Sequence, residues 1–84
     1  MTKVLYFAKL REDLGCESES LALPEGVKTV ASLRVHLAAR GGPWASALAP
    51  ERAVRAAVNQ QIAKPETPVA TGDEVAFFPP VTGG

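Results

Sequence analysis

Hydrophobic positions along the chain change period several times, and each change marks an element. Lys3-Val4-Leu5-Tyr6-Phe7-Ala8 is β-branched and aromatic over a length that suits a strand. Strand parity puts Val4 and Tyr6 on one face and Leu5 and Phe7 on the other, so this strand is apolar on both sides. Such a strand is either covered twice or presents its outer face to something else. Leu10 and Leu14 then stand at i, i+4, with Gly15 where a left-handed residue ends a short helical turn. Ser20-Leu21-Ala22-Leu23 alternates before Pro24 and predicts a second strand, paired with the first as a broad hairpin.

The helical period is clearest after Thr29, an N-cap residue type, where Val30, Leu33 and Leu37 form one stripe that Gly41-Gly42-Pro43 terminates. Trp44 and Leu48 predict a further helical turn that plugs one end of the core, because a tryptophan has a large apolar area to bury. Val54, Ala56 and Val58 alternate, Asn59-Gln60-Gln61 turns the chain, and Ile62 begins a short return strand. After Pro65, Pro68 and the turn Thr71-Gly72-Asp73, Glu74-Val75-Ala76-Phe77-Phe78 is a last strand, ended by Pro79-Pro80. The order strand, strand, helix, strands, with no repeat and no long linker, predicts an α+β sheet with one face covered by the helix. The first and last strands are the most apolar, which suits neighbours in the middle of that sheet.

Composition narrows the function classes. Eighty-four residues build one core, and a deep enclosed active site is not expected. Lysine plus arginine and aspartate plus glutamate are both 9, so no bulk field draws the chain toward nucleic acid or an anionic membrane. No apolar stretch approaches the roughly 20 residues that cross a bilayer, and the first residues lack the pattern of a signal peptide; a cytoplasmic location is expected. The single cysteine, Cys16, and single histidine, His36, supply neither a disulfide nor a zinc site. Cys16 stands among acidic residues with nothing to lower its pKa, and His36 flanks the helix stripe; both read as incidental.

No nucleophile–base–orienter set can be assembled, and no phosphate-binding loop or dinucleotide turn is present. The remaining candidate is the end of the sequence, Phe78-Pro79-Pro80-Val81-Thr82-Gly83-Gly84. Two prolines favour an extended chain leaving the sheet, and the six residues from Pro79 reach on the order of 20 Å. Gly83 and Gly84 have no β-carbon, so the backbone can thread a narrow channel and bring a carboxylate to a reactive group. Taken alone, such a glycine pair is as readily a frayed end. Its place behind a strand and a stiff spacer favours a delivery arm: residues 1–78 form the domain and 79–84 a flexible tail.

This closing stretch, from Gly72 to Gly84, resembles the end of the small subunits of molybdopterin synthase, as do Val4-Leu5-Tyr6-Phe7-Ala8 with Arg11-Glu12, and Ala57-Val58-Asn59-Gln60. The resemblance implies a ubiquitin-like β-grasp fold, a mixed sheet with one main covering helix and an extended C-terminal tail. It implies that Gly84 is adenylated by a ubiquitin-activating-like adenylyltransferase, which uses the ATP, and becomes a thiocarboxylate charged by a cysteine desulfurase or rhodanese system. The chain itself would bind no cofactor and no metal. Pro80, Val81, Thr82 and Gly83 would enter the large subunit of the synthase, whose side chains catalyse sulfur transfer to cyclic pyranopterin monophosphate. Two small and two large subunits are expected.

Phe77 and Phe78 must point to opposite faces of one strand, so if Phe77 joins Val75 in the core, Phe78 faces out. Phe7, Ile62 and Phe78 are then expected to form an apolar patch with Arg11 at its rim, which the resemblance places against the large subunit and the activating enzyme. Three alternatives fit the same residues: a sulfur carrier of thiazole synthesis, a ubiquitin-like modifier joined to lysine through Gly84, and an interaction module without covalent chemistry.

Overall fold

In the computed structural model, which describes residues 1–80, the elements run β1 (Thr2–Tyr6), α1 (Ala8–Leu14), β2 (Ser18–Leu21), α2 (Val30–Ala38), α3 (Pro43–Ala47), β3 (Arg55–Val58), β4 (Gln61–Ala63) and β5 (Glu74–Phe78). The expectations placed on Val81, Thr82, Gly83 and Gly84 lie outside the described residues. One five-stranded sheet has the order β2-β1-β5-β3-β4. β1 and β5 are parallel and the other pairs antiparallel, so the sheet is mixed, as in a β-grasp fold. The two strands richest in large apolar residues therefore hold the centre, where each is hydrogen-bonded on both sides.

Their inward residues show the consequence: Val4, Tyr6, Val75 and Phe77 are essentially without solvent contact. Each such side chain contributes about 1.5–3 kcal/mol on leaving water. Val30, Leu33 and Leu37 of α2 complete this core, with Leu10, Leu14 and Leu48 from the flanking helical segments. α2 starts at Thr29 as expected, through a capping box in which Ser32 N–H donates to Thr29 Oγ1 at 3.1 Å and Thr29 N–H to Ser32 Oγ at 2.9 Å. Gly15 adopts the left-handed conformation that ends α1, at φ 62°, and its N–H reaches the Arg11 carbonyl at 3.0 Å.

Three strands differ from the apolar pattern, β4 in that Gln61, expected in the turn, opens it one residue before Ile62. β1 stops at Tyr6, because Ala8 takes φ 54° and turns the chain into α1 directly after Phe7. β2 lies two residues earlier than Ser20–Leu23, since its register is set by pairing Leu5 with Ser18 and Thr2 with Leu21. It is an edge strand whose Ser18, Glu19 and Ser20 carry no apolar alternation. The β3–β4 turn is made by Asn59 and Gln60 at φ 49° and 68°. Asn59 holds that shape by bridging to the start of β5: its Nδ2 donates to Asp73 Oδ1 at 3.1 Å and its Oδ1 accepts from Glu74 N–H at 3.0 Å.

A polar network closes the core at its β2 side. Tyr6 Oη donates to Glu19 Oε2 at 2.8 Å, and Arg40 grips the same carboxylate through both terminal nitrogens, at 2.9 and 2.8 Å. The Arg40 guanidinium also lies 4.4 Å from the Trp44 ring centroid, and Trp44 meets Tyr6 edge-on at 5.4 Å. Trp44 thus covers the core's end as expected. The Arg40 hydrogen bonds hold the Glu19 carboxyl below its usual range, and burial pushes the Tyr6 hydroxyl far above the phenol range. A depressed carboxyl stabilises the fold above its unfolded pKa of about 4.3 and ceases to do so as pH falls through the lower folded value. A raised phenol does the reverse, its contribution fading as pH rises above about 10. Thermal melts of the parent and Glu19→Gln are expected to differ by several degrees at neutral pH and to converge below about pH 4; a constant difference across the acid range would remove Glu19 from the acid response.

Candidate functional site

All of α2's buried residues lie on one side of the sheet, and among the described residues no helix with buried residues is assigned to the other. Register then defines the outer face. Leu5 pairs with Ala76, Ala76 with Ala57 and Ala57 with Ile62, so these four form a row across β1, β5, β3 and β4. One step along, Phe78 pairs with Arg55, and Phe7 N–H donates to the Phe77 carbonyl at 3.1 Å, extending the parallel register so that Phe7 stands beside Phe78. Phe77 is buried while Phe78 is half-buried and Phe7 and Ile62 are exposed, at 45% and 71% for the latter two.

Phe7 and Phe78 are adjacent, whereas Ile62 lies at the sheet's far edge, about 10 Å from β5 by strand spacing, with Ala57 between. Ala57 is buried yet stands outside the core cluster, so its cover comes from its outer-face neighbours. Leu5, half-buried, and Arg55 belong to this face too and were absent from the expected patch. Leu5's parity with Phe7 was the available signal. Arg55 could be found only once its pairing with Phe78 was known. Arg11 is exposed on α1 and makes no ion pair among the described residues.

Pro79 and Pro80 follow β5 without regular structure and half-buried, so the chain leaves the sheet beside Phe7 and Phe78. Any group delivered by the residues beyond starts from this apolar face. Elsewhere the described residues hold little reactive chemistry. No cluster of three or more His, Cys, Asp or Glu side chains suits a metal among them, and no helix there is long and apolar enough to cross a membrane. Cys16 Sγ lies 3.5 Å from the Ser18 carbonyl, and burial, with Glu19 nearby, pushes its thiol up, away from the reactive thiolate.

The chain matches the ThiS family over residues 4–84. It belongs to that family. The ThiS-family relatives include the molybdopterin synthase sulfur carrier subunit of Escherichia coli (strain K12), 48% identical over 84 residues and covering 100% of both chains. SAMP1 from Haloferax volcanii shares the fold at TM-score 0.75 and 24% identity, over 99% of this chain and 98% of that one. A Helicobacter pylori 26695 chain, solved as a complex of subunits 1 and 2 of molybdopterin-converting factor, shares it at TM-score 0.65 and 23% identity, over 99% and 97%. The last two likenesses bear on the ubiquitin-like fold alone.

Proposed function

We propose that this chain is the sulfur-carrying subunit of a molybdopterin synthase, with Gly84 as the carrier. The observation that supports it most is the full-length identity of 48% to a protein of that name. A carboxylate is a poor electrophile. In this reading the terminal oxygen of Gly84 attacks the α-phosphate of ATP on an adenylyltransferase and displaces pyrophosphate. A persulfide from a cysteine desulfurase or rhodanese system then attacks the acyl carbon and displaces AMP, giving an acyl disulfide. A second thiolate of that system cleaves its S–S bond, releasing the thiocarboxylate as a disulfide forms on the sulfur-donating protein. The tail from Pro80 to Gly83 carries that sulfur into the large subunit, whose side chains catalyse its transfer to cyclic pyranopterin monophosphate. The domain docks through Phe7, Phe78 and Ile62, with Arg11 at the rim. Desolvating an aromatic pair on a rigid sheet provides binding energy at little entropic cost, since these side chains have few torsions to freeze.

Intact mass after incubation with ATP, the activating enzyme and a sulfur source tests the reading. A gain of about 16 Da, oxygen replaced by sulfur, is expected. Attachment of a whole protein would show a modifier instead, and no change would remove the carrier role. Cys16→Ser is expected to load at the parental rate in the same assay. Loss of loading in that variant would move the sulfur to a persulfide on Cys16.

A further inference from the structure

On the helix-bearing side of the sheet, α2 stops short of the β4 edge, and an apolar bowl of about 710 Å³ opens between them. Ala31, Val35 and Ala38, at i, i+4 and i+7, form its helix wall, beside the stripe that α2 turns to the core. Val35 is 66% exposed there, so α2 is apolar on a flank that its own core packing does not explain. Leu48, Ala56 and Phe77 form the floor, and the Pro65 carbonyl, accepting from Ala31 N–H at 2.8 Å, ties down one end.

The charged side chains lining the bowl are cationic, Arg34 and Lys64; Arg55 also borders it, but its pairing with Phe78 turns its side chain to the other face of the sheet. In a chain whose cations and anions are equal in number, at 9 each, this is a local concentration. Arg34 is held rigidly, its Nε and Nη2 donating to the carbonyls of Leu48, Ala49 and Arg52, while its Nη1 has no hydrogen-bond partner among the described residues. Neither cation makes an ion pair among the described residues, although Glu51 is near enough to be felt by Arg34. The open side of the bowl is also a sheet edge. In a two-residue hairpin Gln61 and Ala63 turn their backbone groups to Val58 and Ala56, which leaves the N–H and carbonyl of Ile62 facing away from β3.

We propose that the bowl and the β4 edge together dock an extended segment of a partner protein that carries an apolar anchor flanked by carboxylates. The anchor fills the space over Phe77, one carboxylate reaches Arg34 Nη1, another meets Lys64, and the segment's backbone pairs with Ile62. A small anionic ligand would use the pocket and the cations but leave the strand edge idle. The surface lies on the opposite side of the sheet from Phe7 and Phe78, and the inference does not rest on sulfur delivery.

Nine-residue peptides selected from a randomised display library on the full chain, then resynthesised, serve as the probe. Asp or Glu on both sides of Leu, Ile or Phe is expected to be enriched, with amide shift changes at Val35, Ile62, Ala63 and Lys64. Val35→Asp and Lys64→Glu are exposed changes, and each is expected to weaken the peptide at least about tenfold. Raised salt is expected to weaken it further. Selection without acidic residues, shifts centred on Phe7 and Phe78, or affinity indifferent to Val35→Asp would each overturn the proposal. So would a concentration-dependent dimer that Val35→Asp dissolves, because the occupant would then be a second copy. The shift map carries the test on its own if either variant fails to fold.

Discussion

Deletion of Gly84 is expected to reduce sulfur loading to background while leaving the thermal midpoint within about 2 °C of the parent. The first half follows from the proposed chemistry: the electrophilic carbon belongs to that residue, and no other group among the described residues offers a substitute. Ending the chain at Gly83 also supplies a carboxylate, but the arm is then one residue, about 3.5 Å, shorter. An adenylate must meet its attacking sulfur within a near-contact distance, so a shift of this size removes productive geometry. The second half follows from the fold, since the core is complete at Phe77 and the last strand ends at Phe78. Loading assayed by intact mass, beside a thermal melt, separates the two. Normal loading without Gly84 would refute the carrier assignment, and a large fall in the midpoint would mean that the tail supports the domain.

Phe77→Ala and Phe78→Asp, one residue apart, are expected to fail in opposite ways. Phe77 is 1% exposed, stacks parallel to Tyr6 at a centroid distance of 6.4 Å and lies under α2. Its truncation leaves a cavity and costs about 3–5 kcal/mol. A domain of this size has roughly 4–12 kcal/mol to lose, so the midpoint falls by more than about 12 °C and the variant is marginal at 37 °C. Phe78 points out beside Phe7 and Arg55, where an aspartate remains hydrated in the free chain and costs less than about 1 kcal/mol. Against a partner, the same aspartate puts a charge where an aromatic anchor should be desolvated. Association with the synthase large subunit is then expected to weaken at least about thirtyfold, equivalent to about 2 kcal/mol. Calorimetric titration of both variants beside their melts reads the contrast. Unchanged binding by Phe78→Asp would place the docking surface elsewhere.

The contrast also shows what kind of feature the chain makes legible. Parity on β5 needs only the strand period: it put Phe78 on the face opposite Val75 and Phe77, and the burial of Phe77 decided which face is the outer one. Thr29, Gly15 and the apolar stripe of α2 were equally readable, because capping chemistry and a 3.6-residue period act within a few residues. The edge strand β2 was misplaced by two residues because Ser18, Glu19 and Ser20 have no apolar rhythm; pairing with β1 makes them a strand. Trp44 was readable as a plug, but Arg40's grip on Glu19, which holds the guanidinium over Trp44, joins residues 21 positions apart and exists only once β2 meets the end of α2.

The same division holds for the functional surfaces. The sequence by itself determined the element order, the two-sided apolar character of β1 and β5, the opposite faces of Phe7 and Tyr6 and of Phe78 and Phe77, and a Gly83-Gly84 ending behind a proline spacer. These depend on residue type, parity and spacing, which act locally. Only the tertiary structure decided that β1 and β5 lie side by side, so that Phe7 meets Phe78 across 71 positions of chain while Ile62 is carried to the far edge. It alone left a bowl flanked by Arg34 and Lys64 between α2 and β4. Contacts between distant segments are set by how helix and strands of unequal length fill space together, and no local period encodes that fit.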